Sequence, residues 1–411
     1  MADAVANSYK ADVFALDGSC FFAERVPLLA AGSFKAAWCA LLEQALEPNP
    51  FYHPDYLTGV AQHVLGHEAH EVILVWSCDH RRELVGVFPV TVKGFTKGDP
   101  FGVLCFSFDS LFGVCTPLIS PLAPEQVWAR LIDYVQSDAH LPNIIHIPEF
   151  YRKEGGGLAL ETLIAQDQVL VHVEQEFQRA VASPLSDYDA YIARWSKKKA
   201  RNIRSREKKL RGLGALQFDI IERGAVDFGD EFARFLELET GGWKGAKGTA
   251  LASRADSRAF VKQVFQSDLP RSLGVHLAVL RLDGEMIAAQ LNLHAQDHVF
   301  FIKSAYDERL STYGPGVLLY KWMLEQMLSH KRFVELDSCA DAHHSLEEIW
   351  LERKTVQAVL LALNTPDNQV PFQRLVAWRR FLQRSKSIIK GLRADVSAVF
   401  QDLPFLKRFG V

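Results

Sequence analysis

Apolar residues recur in short continuous or alternating runs, broken by turn-forming clusters, and these runs divide the chain into two successions of helices and strands. In the first, a helix is predicted over 34–46. The turn-rich stretch Asn49-Pro50-Phe51-Tyr52-His53-Pro54 then leads into a helix over 55–65. Strands over 71–77 and 84–92 read as a hairpin around Asp79-His80-Arg81-Arg82. An apolar segment over 101–108, a helix over 125–137 and a strand over 143–147 follow. The second succession has helices over 228–239 and 257–266, then strands over 275–282 and 286–294 joined by Asp283-Gly284, a dipeptide that tolerates the positive φ of a tight hairpin. A strand over 298–307, the turn Tyr313-Gly314-Pro315-Gly316, a helical pattern from Val317 and a strand over 333–337 complete it. Strand, helix and strand in immediate succession imply a parallel crossover. The recurring order predicts an α/β chain of two similar tandem domains, over 1–185 and 215–365, with mixed sheets flanked by helices. A helical connector over 186–214 and a helical tail over 366–411 lie outside them.

With 411 residues, 48% of them hydrophobic, the chain can bury large cores, and a net charge of −3 gives no general attraction to nucleic acid. The connector is the exception: from Lys197 to Arg211 nine basic residues stand against one acidic, a local charge of +8. It reads either as a solvated linking helix or as a patch that meets an anionic ligand. It lacks the interleaved aromatics of a stacking platform for nucleic acid. Six cysteines without a Cys-x-x-Cys pair point to reduced thiols and the cytoplasm. The start of the chain does not resemble a secretory signal, and no apolar run is long enough to cross a bilayer, so a soluble protein is expected. The tail from Phe372 to Phe400 mixes apolar and basic residues in a helical pattern; such a helix can lie at an anionic inner-membrane surface or pack on its own domain. His63, His67 and His70 approach one helical face, but Gly66 interrupts it and the His-Glu-x-His spacing is one residue short of a zinc-protease motif. No metal is expected there.

The turn at Pro315 carries the clearest chemistry. Gly314 and Gly316 let backbone amides face a ligand, Pro315 suits a first helical turn, and the unpaired amides of a helix start attract an anion. The stretch lacks the Gly-Lys-Ser/Thr of a Walker loop and the third glycine of a dinucleotide fingerprint, which leaves another phosphate-bearing ligand. Asp337, at the C-terminal end of a parallel strand, is placed where α/β folds hold ligands and is the first candidate base; capping of the next turn explains it as well. Glu239 precedes two glycines and Trp243-Lys244, where it can orient an acceptor against an apolar wall, or simply end a helix. His344, beside His343, can serve as base or acid. Lys303, Tyr306 and Asp307 are candidates for shaping the channel, although strand alternation also accounts for Lys303, and Tyr313 can protonate a leaving group or serve as a packing aromatic.

Together, 198–211, Glu239-x-x-x-Trp243-Lys244-Gly245, Lys303-x-x-Tyr306-Asp307 and Tyr313-Gly314-Pro315-Gly316-Val317-Leu318-Leu319 resemble the GNAT acetyltransferase family associated with cellulose biosynthesis, over about 49–363. Its members look like doubled acyltransferase folds, related in shape to Fem-type enzymes. The resemblance implies tandem GNAT-like domains and transfer of an acyl group from a coenzyme A thioester to an amine or hydroxyl of a small-molecule, saccharide or envelope-precursor acceptor. It implies that Ser304, Ala305, Gly314, Gly316 and Val317, with Lys303 and Tyr313, hold the coenzyme A portion, and that Trp243, Lys244 and Tyr306 meet the acceptor. Two alternatives stand beside it: a Fem-type transferase that takes its group from aminoacyl-tRNA, and a non-catalytic assembly protein of the same fold.

Overall fold

The computed structural model describes residues 21–65, 69–78, 83–94, 100–107, 111–183, 187–266 and 273–401, with side chains described as far as 385. The first half runs β1 (Phe21–Pro27), α1 (Lys35–Gln44), α2 (Pro54–His63), β2 (Glu71–Ser77), β3 (Leu84–Lys93), β4 (Val103–Phe106), β5 (Leu118–Ile119), α3 (Pro124–Ser137), β6 (Ile145–Phe150), α4 (Gly155–Ala165) and β7 (Val169–Ala182). Two connecting helices follow, α5 (Tyr188–Ala193) and α6 (Lys197–Arg211). The second half comprises β8 (Leu216–Glu222), α7 (Phe228–Gly241), α8 (Trp243–Ala246), α9 (Ala255–Val264), β9 (Gly274–Leu282), β10 (Glu285–Ala295), β11 (His298–Tyr306), α10 (Pro315–His330), β12 (Glu335–Asp337), β13 (Glu352–Leu363) and α11 (Pro366–Gln401). The Asp79–Arg82 turn and the residues Gly66, His67 and Glu68 of the imidazole-rich stretch lie outside the described residues.

The strands form one mixed sheet in the order β1-β2-β3-β4-β6-β13-β7-β12-β11-β10-β9-β8, with β5 beside β3. Each half contributes one parallel pair, β4 with β6 and β11 with β12, to an otherwise antiparallel meander. The last strands of the halves are exchanged: β13 pairs with β6 of the first half, and β7 pairs with β12 of the second. β7 and β13 also run antiparallel to each other over their whole length, from Val169↔Leu363 to Val181↔Glu352. Runs such as Glu71-Val-Ile-Leu-Val-Trp-Ser77 are apolar on both faces because helices cover the sheet on both sides. A core through β2, β3, α3 and β9–β11 joins the halves, for example through the edge-on pairs Phe51–Phe300 and Tyr56–Phe260.

The exchange leaves a buried polar seam. Arg179 on β7 is 1% exposed and donates to the carbonyls of Gly113 and Ala340, to the Tyr151 hydroxyl and to Glu149. Lys354 on β13 pairs with Glu335 at 2.7 Å, Glu154 at 2.9 Å and Glu47 at 3.7 Å. Charges buried this deeply persist only when paired, so the seam fixes the register of the exchanged strands.

Cys78 is disulfide-bonded, which corrects the reading of uniformly reduced thiols; Cys105, Cys115 and Cys339 are free thiols. The first turns of α11 pack on the first half, where Phe372 and Leu375 join Val103, Ile144, Leu360 and Ala362. None of the described helices is long and apolar enough to cross a membrane.

Candidate active site

The site grows out of the parallel pair β11 and β12. They pair only from His298↔Glu335 to Phe300↔Asp337, while β11 stays bonded to β10 as far as Tyr306. Beyond Phe300 the β12 side of β11 is therefore an open backbone edge. A short 3-10 turn, Glu308–Tyr313, leads to Gly314, whose φ of 61° and ψ of 52° lie in the left-handed region that suits glycine. Pro315 occupies the first position of α10, and no side chain caps the helix start. The amides of Gly316 and Val317 thus keep the free donor capacity of a helix N-terminus.

A cavity of about 400 Å³ lies against this turn. Its walls are Ser304–Tyr306 of β11, Gly314–Val317 and Tyr320 of α10, Leu238 and Glu239 of α7, Gly242–Lys244 at α8, Arg206 of α6, and His344 with Ser345. Ten residues expected at a site are brought together: Glu239, Trp243, Lys244, Ser304, Ala305, Tyr306, Gly314, Gly316, Val317 and His344. Lys303, Tyr313 and Asp337 do not line it.

Glu239 is 2% exposed. Its Oε2 accepts the Leu251 amide at 2.8 Å, whereas Oε1 has no hydrogen-bond partner among the described residues and lies 4.0 Å from Lys244 Nζ. Burial raises its pKa above the usual carboxylate value, against the opposing effects of the Leu251 amide, Lys244 and Lys303. Burial, reinforced by Lys303 and opposed by Glu239, lowers the pKa of Lys244, whose ammonium donates to the Ser304 carbonyl at 2.6 Å. His344 Nδ1 accepts the Leu346 amide at 3.2 Å, so its Nε2 carries the proton of the neutral ring; burial and Lys244 depress its pKa. Trp243 is half exposed, and its amide donates to Glu308 at 2.5 Å.

Among the lining residues not singled out from the sequence, Tyr320 and Arg206 bear on the chemistry. Tyr320 sits one helical turn beyond Gly316, a spacing that does place both on one face of α10. Its hydroxyl is raised in pKa by burial, with a hydrogen bond to Ser304 opposing. Arg206 lies within the basic run, and its guanidinium Nη1 would stand 3.2 Å from a Cβ added at Gly314. Periodicity along α6 marks a basic helix but not which of nine cations meets the turn.

Asp337 ends the parallel strand β12, as expected, and lies outside the cavity lining. It is 1% exposed, accepts the Tyr151 hydroxyl on Oδ2 and accepts the Cys339 amide on Oδ1 at 2.8 Å. The exchanged strand β7 adds Arg179 to this cluster through Tyr151, so the carboxylate is engaged in the seam outside the cavity lining.

Residues 197–344 match the family model described as an acetyltransferase (GNAT) domain, a span that runs from the start of α6 to the His344 of the cavity. Over that span the second half is therefore similar to a GNAT-type acetyltransferase domain. Among solved structures, FemX is similar at 11% identity, covering 82% of this chain and 98% of that one with a TM-score of 0.50, and the two share a fold. A conserved protein of unknown function from Bacteroides thetaiotaomicron matches over 82% of this chain and 98% of its own at 9% identity and a TM-score of 0.48. A tandem GNAT protein of the clavulanic acid biosynthesis pathway matches over 84% and 99% at 14% identity and a TM-score of 0.40. No curated protein sequence matches the chain.

Proposed function

We propose that the protein is an acyltransferase that takes its acyl group from a coenzyme A thioester and passes it to an amine or hydroxyl within the cavity at β11 and α10. One observation carries the reading: a single cavity of about 400 Å³ has an uncapped helix start with a cation at one wall and a buried, half-unpartnered carboxylate at another. The amides of Gly316 and Val317, with Arg206, suit the diphosphate of the donor. The open edge of β11 beyond Phe300 offers backbone groups to an extended amide-bearing chain.

Glu239 Oε1 takes the proton that the acceptor nitrogen or oxygen loses as it attacks the carbonyl carbon. The raised pKa of Glu239 makes it a stronger base than an exposed glutamate. Tyr320 supplies a proton to the departing sulfur, and the neutral Nε2–H of His344 is available to the developing oxyanion. Lys244 holds the Ser304 carbonyl and keeps a positive charge beside Glu239. Trp243 and Tyr306 form the acceptor wall. The resemblance to the cellulose-associated family favours a saccharide or envelope-precursor acceptor, with any membrane contact made through α11.

Calorimetry with coenzyme A, acetyl-CoA and longer thioesters tests the donor. Binding near 1:1 that is lost on bulky substitution of Gly316 supports it, and no binding across the panel overturns it. One observation favours the Fem-type donor instead: α6 lines an open depression of about 650 Å³ with Lys197, Arg201, Arg204 and Lys208. Salt-sensitive retention of aminoacyl-tRNA by a protein that ignores coenzyme A selects that reading.

A further inference from the structure

At the outer end of the sheet, away from the cavity, three strands bring ligand-type side chains onto one face. Glu222 on β8 is the direct cross-strand partner of His276 on β9, and Asn292 on β10 is its partner on the other side. His294, two residues beyond Asn292, stands opposite Gly274. A Cβ added at Gly274 would lie 2.5 Å from the His294 ring, so the missing side chain is what lets that ring lie beside His276. One ligand atom each from Glu222, His276 and His294 falls within 4.8 Å of the others.

This cluster has unspent bonding capacity. His276 is 0% exposed, and among the described residues neither of its ring nitrogens has a hydrogen-bond partner; the buried Oδ1 of Asn292 has none either. Buried orphans of this kind are rare and costly, and three in adjoining positions mark a missing partner. The ring of His276 stacks on Phe333 at 5.4 Å, which fixes its plane. Glu222 Oε1 accepts from Arg332 at 2.7 Å, and its Oε2 lies 3.5 Å from His294 Nε2.

We propose that His276, His294 and Glu222 bind a divalent transition ion of the zinc type, with water completing the shell. Two imidazoles and one carboxylate match the donor set of that ion, and Arg332 orients the carboxylate from outside. Around a tetrahedral zinc, ligand atoms sit about 3.4 Å apart. A pair at the full 4.8 Å must close by roughly 1.4 Å. Rotation of Glu222 and His294, whose side chains are 45% and 32% exposed, supplies that movement and gives the ion a path from solvent. The ion clamps the edge strand β8 to β9 and β10.

The test uses the full chain, treated with a chelator and titrated with Zn2+ in a calorimeter and with Co2+ by visible absorption. One equivalent is expected, with a four-coordinate cobalt spectrum and a higher Tm. His276 lies in the core, so the partly exposed ligands carry the mutational arm. His294→Ala and Glu222→Gln each weaken binding by about 100-fold or more while the metal-free Tm stays within a few degrees. His63→Ala leaves binding unchanged. Absence of a stoichiometric site, or Zn2+ affinity that survives both ligand substitutions, overturns the proposal.

Discussion

Replacement of Arg206 by alanine isolates the contact on which the donor assignment rests. Arg206 reaches the cavity from α6 and stands against Gly314 at the start of α10, and among the described residues it makes no ion pair of its own. Its removal therefore breaks no internal bridge, and loss of stability should stay within ~0.5 kcal/mol. Loss of one charge-assisted hydrogen bond to a phosphate oxygen costs about 1.5–3 kcal/mol, or roughly 10- to 150-fold in Kd. Calorimetry with coenzyme A should show that loss, whereas pantetheine, which lacks the diphosphate, should bind wild type and variant alike. Arg206→Lys keeps the charge but not the forked geometry and should fall between them. The salt dependence of coenzyme A affinity should flatten in Arg206→Ala. The exposed Arg254→Ala serves as a control, because among the described residues that side chain forms its ion pair with its neighbour Asp256, away from the cavity. Coenzyme A affinity within twofold of wild type, or equal losses for coenzyme A and pantetheine, would falsify the diphosphate placement.

Glu239→Gln should lower kcat by about 10²- to 10⁴-fold with KM for the donor changed less than about threefold, and should abolish the rising limb of the pH–rate profile, which lies above the ordinary glutamate range in wild type; an unaltered profile excludes Glu239 as base. Asp337→Asn should cost about 3–5 kcal/mol in urea unfolding, because it disturbs the buried Tyr151 and Arg179 cluster. Normal stability combined with slowed turnover would return Asp337 to the chemistry. His146 is bonded to Glu174 at 3.1 Å and lies 3.6 Å from the Cys105 sulfur; burial acts to lower its pKa, but those two partners outweigh burial and lift it to about 9 from 6.5. A histidine raised in the folded state stabilises fully below pH 6.5, and the contribution declines as pH rises through 9. It amounts to roughly 3 kcal/mol. Denaturation curves of wild type and Glu174→Gln should converge over that window, and a pH-independent difference between them would contradict the pairing.

The strand, turn and helix from β11 into α10 were legible because their signals are local: alternation, a glycine able to take positive φ, and a proline at the first helical position. Glu239, Trp243 and Lys244 were found because the glycines between them mark a helix end, and helix ends crowd around a cleft. Arg206 was hidden within a uniform run of cations, since only the packing of α6 decides which one faces the turn. The expectation for Asp337 followed a positional rule about parallel strands. It did not anticipate the exchange of β7 and β13, because a strand's own alternation says nothing about which neighbour it joins. His276 and His294 likewise read as ordinary strand positions, and only the register with β8 brings Glu222 beside them. The bonded Cys78 shows the same limit: spacing along the chain did not reveal it.

The interleaving of β7 and β13 has a consequence during synthesis. The strand that completes the early half is translated about two hundred residues after β6, which at cellular rates is a wait of roughly 10–40 s with an unsatisfied edge on the nascent chain. That edge is a ready template for wrong partners, including a neighbouring copy on the same message. Cutting the gene between α5 and α6 should accordingly yield fragments that are insoluble alone and recover when made together.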